Sequence, residues 1–192
     1  MYYHASSVGG LQCLKPQISN HGIPYVYFSA KRENTLVYLS NAVEKYCKET
    51  GYAPRGPWKK WASYGFTKDG ILQLDEYYPD AAVDTYRGVQ GYIYSTELLP
   101  DGRAFHEIPF TFVCEHAVKG LRCEYIPDAY TAIMEAVEHG KIVFRKYEEM
   151  GEGKLRWLRN TIEKEYGDPA SPEEYRYFLR AKFPFLQTNG RR

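Results

Sequence analysis

The 192-residue sequence lacks most of the short motifs that announce a chemistry. It has no G-x-G-x-x-G and no G-x-x-x-x-G-K, so Rossmann and P-loop nucleotide sites are excluded. It has no G-x-S-x-G elbow, which removes the serine-hydrolase arrangement that depends on it. Its four cysteines, Cys13, Cys47, Cys114 and Cys123, are scattered with no C-x-x-C spacing, so neither a zinc knuckle nor a dithiol redox motif is present. No apolar run approaches the roughly 20 residues that span a bilayer. Charge of either sign is also missing in excess: 25 basic against 24 acidic residues leave +1, so the whole chain has no electrostatic case for nucleic acid or a membrane surface. With no apolar leader at Met1, the cysteines read as reduced thiols and the protein as cytoplasmic.

What the chain has in quantity is tyrosine, 19 residues, which supplies apolar area and a polar tip together and suits a wet aromatic cleft. Its most informative stretch runs over residues 2–46. Tyr2, His4 and Ser6 share one face of a short strand, because extended side chains alternate, and Gly9-Gly10 breaks it. A second strand over residues 24–29 sends Tyr25, Tyr27 and Ser29 one way and Val26 and Phe28 the other. From Lys31 the period becomes helical through Leu36, Leu39, Val43 and Tyr46, and Gly51 stops it.

On these residues the chain resembles the ADP-ribosyltransferase superfamily, in particular its His-Tyr-Glu branch of diphtheria toxin and the poly(ADP-ribose) polymerases. "YYHAS" supplies His4, "VYFS" supplies Tyr27-Phe28-Ser29, and "ENTLVY" supplies Tyr38, eleven residues after Tyr27 as in the polymerase motif. The sequence departs from the family at Thr35-Leu36, where a serine-alanine pair is usual, and at Ala5, where glycine is common. The resemblance implies NAD as substrate, with His4 bonding a ribose hydroxyl and Tyr27 and Tyr38 gripping the nicotinamide ring. Ala5, Ser6, Ser29 and Thr35 complete the cofactor-binding set it implies. It also implies an unknown protein or nucleic-acid acceptor.

Transfer of ADP-ribose builds positive charge on the sugar and needs a carboxylate beside it. In the family a glutamate on a late strand provides it, and Glu107, Glu115 and Glu124 are the candidates. Glu107 is preferred, because residues 105–113 read as a strand returning from an Asp101-Gly102 hairpin turn. Thr111 lies on the same face of that strand, where the family's glutamate often sits. If Thr111 holds that place, the fold binds NAD or a nucleotide without efficient transfer, as a non-catalytic binding protein. The related RNA 2′-phosphotransfer chemistry would want arginines near the histidine, and only Lys31 and Arg32 are close in sequence. A zinc site from His106, Cys114, His116 and Cys123 fails on spacing.

Elsewhere, Trp58, Trp61 and Tyr64 interleaved with Lys59 and Lys60 form either a core-anchored loop or a basic aromatic patch that selects the acceptor. Strands are expected over 71–78, 89–96, 121–126 and 141–147, with helical turns over 80–86. Asp128 caps a helix with a Tyr130, Ile133, Met134, Val137 stripe that ends at Gly140. Leu155, Leu158 and Ile162 mark another helix, and Ser171-Pro172-Glu173-Glu174 reads as a capping box opening a last one to Lys182. That helix docks on the body of the domain or on a second subunit, as in a homodimer. The expected fold is α+β: a split, mostly antiparallel sheet of ADP-ribosyltransferase type over residues 1–150, with C-terminal helices over 151–192 packed on it.

Overall fold

The computed structural model describes residues 1–18, 22–53 and 64–188. In chain order the strands and helices begin with β1 (Tyr2–Ser6), β2 (Cys13–Leu14), β3 (Gln17–Ile18) and β4 (Pro24–Ser29). A 3-10 helix (Glu33–Tyr38), α1 (Ala42–Glu49), β5 (Tyr64–Phe66), β6 (Leu72–Asp75), α2 (Ala81–Tyr86) and β7 (Gly91–Thr96) follow. Then come β8 (Arg103–Ala104), β9 (Thr111–Cys114), β10 (Val118–Lys119), β11 (Arg122–Ile126) and α3 (Ala129–Glu138). The last elements are β12 (Ile142–Arg145), α4 (Glu152–Gly167), α5 (Glu173–Lys182) and α6 (Phe185–Thr188). The fold is α+β with mostly antiparallel sheets. No helix among the described residues is long and apolar enough to cross a membrane.

The principal sheet has the order β11-β7-β1-β4-β9-β8, with β3 paired to β4 off that path. β10 pairs β2, and a three-stranded sheet runs β12-β6-β5. The chain divides into two compact units: Met1–Leu39, Phe66–Gln73 and Tyr86–Val143 form the first, and Ser40–Gly65, Leu74–Thr85 and Phe144–Arg192 the second.

In the first unit the strand alternation read from sequence decides which side chains meet. Val26 and Phe28 of β4 join Leu14, Tyr94, Cys114 and Val118 in one buried cluster on one face of the sheet. On the other face the 3-10 helix packs against β1, β4 and α3, bringing in Leu36 and Val37, both buried. Asp128 caps α3 as expected, its carboxylate accepting from the Thr131 N–H, and Gly140 ends the helix at φ 67°. In the second unit α1, α4 and α5 supply Val43, Cys47, Leu158, Ile162, Tyr175, Phe178 and Leu179 to one core, closed by Tyr78, Ala81 and Phe183. These positions recur at helical spacing, which puts them on one face of each helix.

Four sequence expectations are corrected. The helix from Lys31 to Gly51 is two elements. Asn41 takes an extended conformation between them, and its side chain accepts from the Glu44 N–H, so α1 starts afresh there. The Asp101-Gly102 hairpin does not form: β7 pairs β1 and β11, while β8 pairs β9 at the opposite end of the sheet. Asp101 instead spends its carboxylate on the Glu115 and His116 N–H groups, at 2.8 and 3.2 Å. The strand expected over residues 105–113 shrinks to β9. Finally, Ser171 does not cap α5: its hydroxyl donates to the Glu165 carbonyl in the last turn of α4, and Pro172 takes the N-cap position of α5.

Candidate functional site

β1 lies at the centre of the principal sheet because both of its edges find partners. β7 pairs its whole length, with His4 opposite Tyr94, Ala5 opposite Ile93 and Ser6 opposite Tyr92. β4 is in register with it at Tyr3↔Ser29. Beyond that pair the His4 imidazole replaces a main-chain donor: Nδ1 donates to the Tyr27 carbonyl oxygen at 2.8 Å. A carbonyl can only accept, so the proton is on Nδ1 and Nε2 carries a lone pair. The ring also packs against Phe28, with centroids 5.8 Å apart. Burial lowers the imidazole's pKa, although the bond to the Tyr27 carbonyl opposes the shift. His4 is therefore a neutral imidazole of fixed tautomer at the point where two strands part.

A pH dependence follows from the lowered pKa. The unfolded histidine titrates near 6.5 and the folded one below it, so acid favours the unfolded chain between those two values. Stability should begin to fall as pH drops through about 6.5 and stop falling below the folded-state pKa. His4→Asn, whose amide nitrogen can take the place of the Nδ1 donor, should flatten this limb in urea titrations between pH 7 and pH 5. An unchanged slope in the variant would mean that another group drives it.

The remaining members of the expected cofactor set are placed as follows. Ser6 and Ser29 use their hydroxyl oxygens to accept the N–H groups of Val8 and Lys31, each at 3.1 Å. The buried Thr35 hydroxyl donates to the Arg32 carbonyl at 2.6 Å. These three hydroxyls shape turns. Strand alternation puts the Tyr27 ring on the face of the sheet opposite His4 and Phe28, so the structure brings His4 to the backbone of Tyr27 but not to its ring face. That ring meets Tyr25 and Phe105 edge-on, at 5.9 and 5.6 Å. Tyr38 closes the 3-10 helix and is 46% exposed.

The carboxylates are arranged differently from the expectation. Glu107 is not on a strand: it lies exposed in the turn before β9, where Phe110 adopts a left-handed φ of 58°. That turn is braced by the Ala30 N–H donating to the Phe110 carbonyl at 2.8 Å, and by the Phe105 N–H donating to the Thr111 carbonyl at 2.8 Å. Pro109 brings no N–H, so a regular ladder could not have run through it. Glu115 pairs with Arg103 at 3.2 Å. Glu124, on β11, takes a two-pronged bond from Arg32, with Nε at 2.8 Å and Nη2 at 2.5 Å. Thr111 stands opposite Ser29 in the β4–β9 ladder.

Sequence reasoning missed two anchors of this region. The buried Tyr94 phenol donates to the Val8 carbonyl at 2.9 Å and accepts the Leu11 N–H at 3.0 Å, holding the loop that follows His4. Gly9 in that loop lies on the Tyr92 ring so closely that an added Cβ would be 2.5 Å from Cζ. The alternation of "GYIYST" already put Tyr92 and Tyr94 on one face, a signal that pointed to a shared partner. The second anchor, the Arg32–Glu124 fork, had no local signal. Trp58, Lys59, Lys60 and Trp61 lie outside the described residues, and Tyr64 opens β5.

What the fold and site define is a class by architecture: an α+β chain whose main sheet carries a neutral, tautomer-locked histidine at a strand divergence. No protein-family model, curated protein or solved structure matches the chain.

Proposed function

We propose that the first unit is an ADP-ribosyltransferase-like domain that takes NAD where β1 and β4 diverge and transfers ADP-ribose to a protein or nucleic-acid acceptor. The observation that carries this reading is the state of His4. With the proton held on Nδ1 by the Tyr27 carbonyl, Nε2 is an acceptor, the role required to orient a ribose hydroxyl. The element order supports it too, since the strand of His4, the strand of Tyr27 and the helix of Tyr38 follow one another as the motif requires. The reading asks Tyr27 and Tyr38 for the flat rings that hold the nicotinamide, and strand alternation counts against it, because the Tyr27 ring lies on the face of the sheet away from His4. Glu107 is exposed two residues beyond Phe105, which touches the Tyr27 ring, and would supply the carboxylate.

The test is nicotinamide release from NAD, run on the parent beside His4→Ala and Glu107→Gln. Loss of one neutral hydrogen bond should weaken NAD binding by up to about tenfold in His4→Ala. Removing the charge that faces the developing cation should slow release about a hundredfold in Glu107→Gln and leave binding alone. A parent rate no higher than both variants would end the catalytic reading.

A second reading, NAD or nucleotide binding without transfer, is favoured by one observation. Glu115 and Glu124 are each engaged by an arginine, and the β9 residue opposite Ser29 is Thr111, which carries no charge. On this reading NAD binds with no release of nicotinamide in the parent.

A further inference from the structure

The first unit carries a cleft of about 450 Å³, within the range of small-ligand pockets. Ala132 and Ala136, four residues apart on one face of α3, line it together with Ala30 beyond the end of β4. Three methyl groups stand where longer side chains would fill the space. Tyr3, whose side chain lies on the face of β1 opposite His4, contributes an aromatic surface.

The rim is charged and much of it is already fixed. Arg32 spends Nε and Nη2 on Glu124, which holds the guanidinium in place and leaves the Nη1 hydrogens over. Lys31 donates to the Gly70 carbonyl at 3.3 Å and lies 3.8 Å from the centroid of the Phe110 ring. Anchored cations bind an anion without the cost of ordering two long side chains. Lys141 adds a third cation from just beyond the C-terminal end of α3. The helix end does not oppose an anion with bare carbonyls, because the Glu135, Ala136 and Val137 oxygens accept from the His139, Lys141 and Gly140 N–H groups. Glu33 and Glu135, also on the rim, are acceptors suited to hydroxyl groups.

We propose that this cleft binds a phosphorylated sugar, its phosphate among Lys31, Arg32 and Lys141 and its hydroxyls on Glu33 and Glu135, with the Tyr3 ring beneath it. Lys31 and Lys141, the Arg32 edge left over by Glu124, and the two carboxylates suit a ligand that is anionic at one end and rich in hydroxyls at the other. Neither His4 nor the NAD reading enters this assignment.

Titration calorimetry on the full chain tests it, with ribose 5-phosphate, adenosine monophosphate, ribose and inorganic phosphate as probes. Ribose 5-phosphate or adenosine monophosphate should bind at least about tenfold more tightly than ribose or phosphate alone, since only they engage both the cations and the carboxylates. The tighter of the two distinguishes a free sugar phosphate from a nucleotide, and either supports the assignment. Lys141→Glu, an exposed change with little bearing on folding, should lower that affinity by at least about tenfold. Ala132→Phe, which fills the space, should lower it as well, with circular dichroism confirming the fold. His4→Ala should leave it unchanged. Binding no tighter than inorganic phosphate, full affinity in Lys141→Glu, or loss of affinity in His4→Ala would each overturn the proposal.

Discussion

Replacing Phe178 with alanine should cost the second unit about 3–5 kcal/mol, the usual cost of emptying a buried phenylalanine site. Phe178 is fully buried in α5, where it meets Tyr46 of α1 edge-on at 5.9 Å and Tyr78 at 6.2 Å. Its neighbours come from three separate stretches of chain, so the hole cannot close by a local shift. In a thermal melt this corresponds to a fall of about 10 °C for a chain of this size. A fall of no more than a degree or two would mean that α5 is not seated on α1 as described. Phe178→Leu should recover much of the loss, because it restores volume without the edge-on ring contacts.

Tyr94→Phe should have the second largest effect, about 2 kcal/mol, with an altered loop after His4. One phenol oxygen serves both the Val8 carbonyl and the Leu11 N–H, and the ring is fully buried. Removing that oxygen leaves two main-chain groups without their partner, which costs more than the net worth of the bonds. Hydrogen exchange at the Leu11 amide reads the effect directly. It should quicken sharply in the variant while amides of α5 in the second unit keep their protection. Unchanged exchange at Leu11 would show that the loop is held by something other than Tyr94. Because the loop follows His4 directly, the same variant tests whether the histidine's surroundings depend on it.

Much of the local structure was legible. The alternation of "PYVYFS" separated Val26 and Phe28, which are buried together, from Tyr25 and Tyr27, which meet ring to ring on the other face. Asp128 and Gly140 bounded α3, and the Leu158 and Ile162 rows faced inward. Reading failed where a partner or a backbone turn outside the motif prevailed. Asp101-Gly102 looked like a hairpin, but the carboxylate was claimed by main-chain groups at Glu115 and His116. Glu107 looked like a strand residue, but Pro109 and the left-handed Phe110 turn the chain first. Ser171 looked like a cap, but the Glu165 carbonyl took its hydroxyl.

The candidate site divides the same way. The order and interval of His4, Tyr27 and Tyr38 are plain in the sequence, but the pairing of β1 with β4 turns the Tyr27 ring to the face away from His4. The tautomer of His4 could not be read there, since it depends on a carbonyl 23 residues away. Nor could the loss of Glu124 to Arg32, which lies 92 residues off.

By itself, then, the sequence determined the alternation of strand faces, the helix rows and most element ends, because these follow from periodicities and caps set within a few residues. Tertiary structure alone decided that β7 lies beside β1 and β8 beside β9, that Glu115 and Glu124 are tied to arginines, and which ring nitrogen of His4 carries the proton. Those outcomes depend on competition among partners distant in the chain, and no local pattern records who wins it.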